Sequence, residues 1–298
     1  MLGQDVAAGL RETSLDSLRL RSGQAARDRH DVLALDHRAC DVSDEAAVRR
    51  LFCDWRPQLV VNCAAFTDVD GCERDPERAF AVNARGAGHV ARAAEQVSAR
   101  VFYISTDYVF NGEKRTPYQE DDPTDPISLY GRSKLEGEQQ TFGPNGAGAG
   151  HLVIRTSWLY GMHRPNFVEK VLADAQSQPK IVAVADQVSC PTWTLQLAQK
   201  IAELAEAPAC GIVHVVNGGQ CSRQEMAQAI VERLPRPVPV GPIYWADLNR
   251  PARRPTYSVL GCQRLEQLGL TPLPHWSEAL EEYLQSRKRV QAVARGRL

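Results

Sequence analysis

Residues 101–106 read VFYIST, an apolar and β-branched run that closes on two hydroxyls. Its apolar residues run on without polar alternation, as in a strand covered on both faces inside a parallel sheet. LVVNCAA (59–65) and HLVIRTS (151–157) repeat that pattern on either side of it, and VLAL (32–35) is a shorter run of the same kind. Helical patterns fill the gaps at 44–55, 75–96 and 133–141. The first has Asp44 near its start, and the second opens on Asp75-Pro76, an N-cap followed by a residue whose missing N–H costs nothing there. Strands alternating with helices predict an α/β fold, a doubly wound parallel sheet. Beyond Trp158 the pattern loosens into short strands at 180–186 and 211–217, helices at 194–206 and 222–234, and a Pro-rich extended stretch, PRPVPVGPIYW (235–245). A helix from Ser277 leads into a basic tail expected to be frayed or solvated. The organisation expected is a larger domain over 1–160, with return segments near 180–217, and a smaller one over 161–298.

The 298 residues are 43% hydrophobic and 24% charged, ordinary globular usage that excludes disordered and fibrous classes. Thirty-five Lys and Arg against 36 Asp and Glu leave a net charge of −1. Such a balance provides no global field for nucleic acid or an anionic membrane, so any bound anion needs a local site. No stretch approaches the roughly 18 to 20 apolar residues of a membrane span. The opening MLGQDVAAGLRETSLDSLRLR lacks a secretory leader, and a cytoplasmic protein is expected. The eight cysteines form no C-x-x-C pair, so neither structural zinc nor a disulfide framework is expected. PNGAGAG (144–150) is Gly-rich but lacks a P-loop lysine and reads as a connector.

In a doubly wound sheet, ligands bind beyond the carboxyl ends of the strands. There the sequence places Ser105-Thr106-Asp107-Tyr108, and later Tyr130-Gly131-Arg132-Ser133-Lys134. On a helix, Tyr130 and Lys134 share a face. A cation beside a phenol lowers its pKa from near 10, which would make the phenol a usable acid or base at neutral pH. The bland alternative is an exposed helix contact; the upstream Ser-Thr at a strand end tells against it.

STDYVFNG (105–112), YGRSKLEGE (130–138) and RTSWLYG (155–161), joined by VVNCAAFTDVDGCERDPERAFAVNARG (60–86), ADQVSCPT (185–192) and RPARRPTYSVL (250–260), resemble the extended short-chain dehydrogenase/reductase family over residues 1–285. The resemblance implies an NAD(P)-binding Rossmann domain and a substrate domain. It also implies reduction of the 4-keto group of a dTDP-linked 4-keto-6-deoxy sugar by NADPH or NADH, giving dTDP-L-rhamnose. By position, Tyr130 would be the proton donor, Lys134 would lower its pKa and hold the nicotinamide ribose, and Thr106 would bond the reacting oxygen. Asp107, Thr67, Val69 and Trp158 would contact the sugar, and Arg254 the diphosphate. Leu2, Gly3, Asp36, Asp41, Val42, Ala65, Phe66 and Thr67 would line the cofactor, with Asp36 and Asp41 following the second and third strands. Asp36 favours NADH, whereas His37 and Arg38 could accept the 2′-phosphate of NADPH. No metal is expected, since Asp5 has no convincing acidic partner near Leu195; a homodimer is a candidate assembly.

The chain departs from the family at its start, where Met1-Leu2-Gly3-Gln4 matches only the end of a G-x-x-G-x-x-G turn and the first strand is apparently truncated. Losing a central strand would cost more than the roughly 5 to 15 kcal/mol of a domain's net stability, so a start placed too far downstream is the expectation, against a true truncation. Residues 9–31 are longer than a plain connection; Leu10, Leu15, Leu18 and Leu20 either extend the first helix or belong to an insertion. Ser189 replaces a usual small residue. Three other functions compete: a non-catalytic regulatory subunit on the same scaffold, a reductase of another nucleotide-linked keto sugar, and an epimerase or dehydratase. Tyr108, where a dehydratase adds a carboxylate, tells against the last.

Overall fold

The computed structural model describes residues 1–16, 30–143 and 150–294. Leu18, Leu20, the connector at 144–149 and the last four residues of the tail lie outside them. Four parallel strands make the main sheet, in the order Leu59–Asn62, Arg100–Thr106, Leu152–Thr156 and Gly211–His214. Alternation along the second strand assigns its two faces. Phe102 and Ile104 pack with Leu152, Ile154, Leu197 and Ile201, while Val101 and Tyr103 turn to the helices on the other side. That double covering is what the unbroken apolar run of VFYIST predicts.

On the first face, Leu2 and Val6 of helix Leu2–Asp16 pack with Leu197, Ala198 and Ile201 of helix Thr194–Glu206. On the other lie Glu45–Trp55, Gly86–Gln96 and Leu129–Phe142. The expected helix at 75–96 starts at Pro76 under the Asp75 cap but passes through one wide π turn, Ala81–Arg85, before continuing. The second apolar cluster gathers helices Phe167–Ser177, Arg223–Val231 and Trp276–Ala294 around Trp193, Met226, Leu280 and Tyr283. Ile181–Val184 pairs in parallel with Val240–Ile243, so the Pro-rich stretch contributes a two-stranded edge. The basic tail is helical as far as Ala294, with Val290 and Val293 exposed.

One expected strand is absent. VLAL (32–35) belongs to no strand, and Leu33 and Leu35 are each 43% exposed. Leu59–Asn62 is the edge of the sheet among the described residues, and no strand stands beyond it to bring VLAL into the ladder. Asp36 and Asp41 accordingly each open a turn and do not follow a second and a third strand. All eight cysteines are free thiols. Among the described residues, no helix is long and apolar enough to cross a membrane and no group of three or more His, Cys, Asp or Glu side chains could hold a metal ion. Asp5 instead bonds His163 at 3.1 Å.

Candidate active site

Strand Arg100–Thr106 delivers Ser105, Thr106 and Asp107 to one buried spot. Thr106 caps the short 3₁₀ turn Asp107–Val109 by accepting the Tyr108 N–H at 3.2 Å, and it donates to Asp107 Oδ1 at 3.0 Å. Asp107 Oδ2 accepts from Ser258 at 2.5 Å and from Ser189 at 3.1 Å. Burial nevertheless pushes its carboxyl up to about 6. Three hydroxyls thus occupy this carboxylate before any sugar arrives. Ser105 donates to Glu138, which holds Arg155 through two contacts of 2.9 and 2.7 Å in a fully buried ion pair.

Helix Leu129–Phe142 begins where Ser128 accepts the Gly131 N–H and Glu73 accepts that of Leu129. It lies close to its neighbours because two glycines face them. A Cβ on Gly131 would stand 2.2 Å from the Tyr108 carbonyl oxygen, and one on Gly137 would stand 2.1 Å from that of Asn83. This brings the Tyr130 phenol beside Thr106, and sets its ring edge-on to Tyr108 with centroids 5.8 Å apart. Lys134, one turn on, is buried, lies 3.9 Å above the Tyr103 ring and donates to the Ile104 carbonyl at 2.6 Å. Burial lowers its pKa to about 7.

The expected effect of Lys134 on Tyr130 is not found. Burial raises the Tyr130 phenol well above its ordinary value, and Thr106 pulls it only partly back. The physical reason is placement, since the ammonium is satisfied by a backbone carbonyl under the strand end.

The remaining site residues fall around this centre. Leu2 is buried and Gly3 exposed in the first turn of the N-terminal helix, a Gly3 Cβ being 3.6 Å from Cys63 just past strand Leu59–Asn62. Asp36 and Asp41 are exposed and cap their own turns, Asp36 accepting from the N–H groups of Arg38 and Ala39 and Asp41 from Ser43. Those bonds hold both carboxyls below their usual range. Val42 packs at the apolar cluster of helix Glu45–Trp55. Ala65, Phe66 and Thr67 form a loop pinned by Asn83, whose side chain both accepts the Phe66 N–H and donates to its carbonyl. Val69 opens helix Val69–Arg74, in which Asp70 takes both Arg250 and Arg254 at 3.2 to 3.3 Å. Arg254 is therefore paired with a carboxylate, not idle in a loop. Trp158 has a left-handed backbone, φ 42°, and the Arg223 guanidinium lies over its ring.

Sequence reasoning missed Asn83, Glu138, Asp70 and Arg223. Asn83 sits in AVNARG as a polar residue inside a helical apolar pattern, the one signal that could have marked it. The others resemble surface charges until their partners are known.

This donor set fits a nicotinamide dinucleotide: a buried ammonium with only a carbonyl as its hydrogen-bond acceptor, exposed carboxylates at Asp36 and Asp41, and a helix N-terminus beside a strand end, where phosphates are favoured. The family profile described as the RmlD substrate binding domain matches residues 19–289. The dTDP-4-dehydrorhamnose reductase of Mycolicibacterium smegmatis is 43% identical over 268 residues, 89% of this chain and 80% of that protein. The spore coat polysaccharide biosynthesis protein SpsK of Bacillus subtilis is 40% identical over 258 residues, 87% and 89% of the two chains. The crystal structure of dTDP-4-dehydrorhamnose reductase from Bacillus anthracis in complex with NADP aligns with a TM-score of 0.83 at 34% identity, covering 87% of this chain and 91% of that one. The chain belongs to the RmlD family of extended short-chain reductases, the family that includes dTDP-4-dehydrorhamnose reductase.

Proposed function

We propose that this protein is a dTDP-4-dehydrorhamnose reductase, reducing the 4-keto group of that dTDP-linked sugar to give dTDP-L-rhamnose, with NADPH or NADH and in the cytoplasm. The observation that carries the reading is the Tyr130 phenol beside Thr106 at the carboxyl end of a central parallel strand, with buried Lys134 one turn further along the same helix.

NAD(P)H, when bound, supplies hydride to the carbonyl carbon. As negative charge develops on the sugar oxygen, Tyr130 releases its phenolic proton to it, and Thr106 donates a hydrogen bond to it by turning its one hydroxyl proton away from Asp107 Oδ1. The raised phenol is fully protonated at neutral pH, and the nascent alkoxide is the stronger base, so the transfer runs downhill. Lys134 stands one turn further along the same helix, its amine donating to the Ile104 carbonyl. Asp107, whose oxygens already hold Thr106, Ser189 and Ser258, fixes the Thr106 hydroxyl in place until the sugar oxygen draws it away.

Tyr130 and Lys134 would also hold the nicotinamide ribose. Ala65, Phe66 and Thr67 would flank it, Leu2 and Gly3 would face the pyrophosphate, and Asp36, Asp41 and Val42 the adenosine. Thr67, Val69, Trp158 and Arg254 would border the nucleotide sugar. Incubating the protein with dTDP-4-dehydrorhamnose and NADPH should consume the reduced cofactor. Tyr130→Phe should lower kcat by about 100-fold or more while still binding NADPH. Undiminished turnover in that variant would remove Tyr130 as the acid.

A further inference from the structure

Arg223 is the first residue of helix Arg223–Val231, fixed there by a capping box in which Ser222 accepts the Glu225 N–H and Glu225 accepts that of Ser222. Its guanidinium carbon lies 3.6 Å from the centre of the Trp158 ring and 4.8 Å from that of Phe167. The neighbouring arginines have carboxylates: Arg155 holds Glu138, Arg250 and Arg254 share Asp70, and Arg287 holds Glu169. Arg223 has no carboxylate within ion-pair distance among the described residues. Arg223 is half-buried, and a partly desolvated cation without a counter-charge carries a cost that stacking on an indole offsets only in part.

Its surroundings show what would complete it. Arg254 is held on Asp70, and the charges of Arg223 and Arg254 both bear on the Tyr108 phenol and on each other. Tyr108 in turn stands edge-on to Tyr130. The two guanidiniums therefore approach the reaction centre from two elements far apart in sequence. Asp70 is taken by Arg250 and Arg254, and Asp107 is buried with both oxygens engaged, so neither carboxylate is free for Arg223.

We propose that Arg223, flat on the Trp158 indole and opposite Arg254, grips the diphosphate of the nucleotide sugar. The inference rests on the reductase reading and adds a residue to its substrate site. A guanidinium fork matches phosphate oxygens in geometry as well as charge, and stacking has already fixed its orientation. The diphosphate would supply the missing counter-charge, and Trp158 would be the platform that holds the fork in place.

The test is calorimetric binding of dTDP and of thymidine to the wild type, Arg223→Gln and Arg223→Lys, with keto-sugar kinetics alongside. Arg223→Gln should weaken dTDP about 10- to 100-fold and raise KM comparably, with thymidine and NADPH affinity unchanged; Arg223→Lys, which keeps the charge but not the fork, should fall between. Unchanged dTDP affinity in a folded Arg223→Gln would overturn the inference. Equal weakening of dTDP and thymidine would also overturn it, because Arg223 would then only prop Trp158. If Arg223→Gln does not fold, full wild-type affinity for dTDP in Arg223→Lys overturns the fork. A wild type that turns over the keto sugar while these outcomes fail leaves the reductase reading intact. A wild type that neither turns it over nor binds dTDP removes that reading, and this inference with it.

Discussion

Asp107 shows how one residue couples the site to the stability of the fold. Its carboxyl titrates near 6 in the folded protein against 3.8 when free, because burial disfavours the anion more than three hydroxyls favour it. A raised acid binds its proton more tightly when folded, so its contribution to stability is highest below pH 3.8 and falls as pH rises towards about 6. Two pKa units correspond to roughly 3 kcal/mol, all of it lost above that range. Asp107→Asn keeps the acceptor and removes the charge. Unfolding in urea across this pH range should therefore show the wild type losing about 3 kcal/mol relative to Asp107→Asn between pH 4 and 6, with a flat difference above. A difference independent of pH throughout would mean the carboxylate is not desolvated as the structure has it. Taking the difference between the two proteins cancels the opposite trend from Asp36, Glu45 and Asp70, whose carboxyls are held below their usual range.

Helix Leu129–Phe142 carries the acid, and its position depends on a residue with no side chain. Replacing a mid-helix glycine with alanine ordinarily stabilises a helix by about 1 kcal/mol. At Gly137 the added carbon would lie 2.1 Å from the Asn83 carbonyl and 2.2 Å from the Tyr103 hydroxyl, neither of which is a freely moving chain end. Overpacking of this kind costs typically 1–3 kcal/mol and here outweighs the propensity gain. Gly137→Ala should lower the melting temperature by several degrees and turnover with it, because Lys134 and Glu138 ride on the same turn. Unchanged melting would show that the helix has room to move. The sequence made much of this scale legible. The helix read at 133–141, which the structure begins at Leu129, the Asp75-Pro76 start and the strand VFYIST follow from caps, periodicity and composition, which act locally. It misled where pairing decides the outcome. VLAL has the composition of a strand but no neighbour among the described residues, and the proline-rich 235–245 gains a strand only because Ile181–Val184 lies beside it. Tyr130 and Lys134 were found by their spacing, but the direction of the ammonium was not, since the Ile104 carbonyl that captures it comes from another element. Arg223 was invisible for the same reason: its meaning lies in Trp158 and Arg254, 65 and 31 residues away.

Taken as a whole, the molecule places its reacting groups where the main sheet, the helix Leu129–Phe142 and the second apolar cluster meet, so ligand binding and global stability are linked. A ligand that binds only the folded chain adds about 2.7 kcal/mol at 100 times its Kd. For a chain of this size that is a rise in melting temperature of roughly 4 °C. Both NADH and NADPH should produce it, and the contrast between them tests the segment 36–41. Asp36 presents a carboxylate that suits a ribose hydroxyl and repels a 2′-phosphate, while the adjacent Arg38 side chain is exposed and makes no ion pair among the described residues. Arg38→Ala should therefore reduce the NADPH-induced shift and leave the NADH-induced one unchanged, whereas Asp36→Ala should reduce the NADH shift and spare or increase that of NADPH. Equal effects of both substitutions on both cofactors would mean that this exposed turn does not meet the adenosine. The cofactor preference would then have to be set by the loop that Asn83 pins at Phe66.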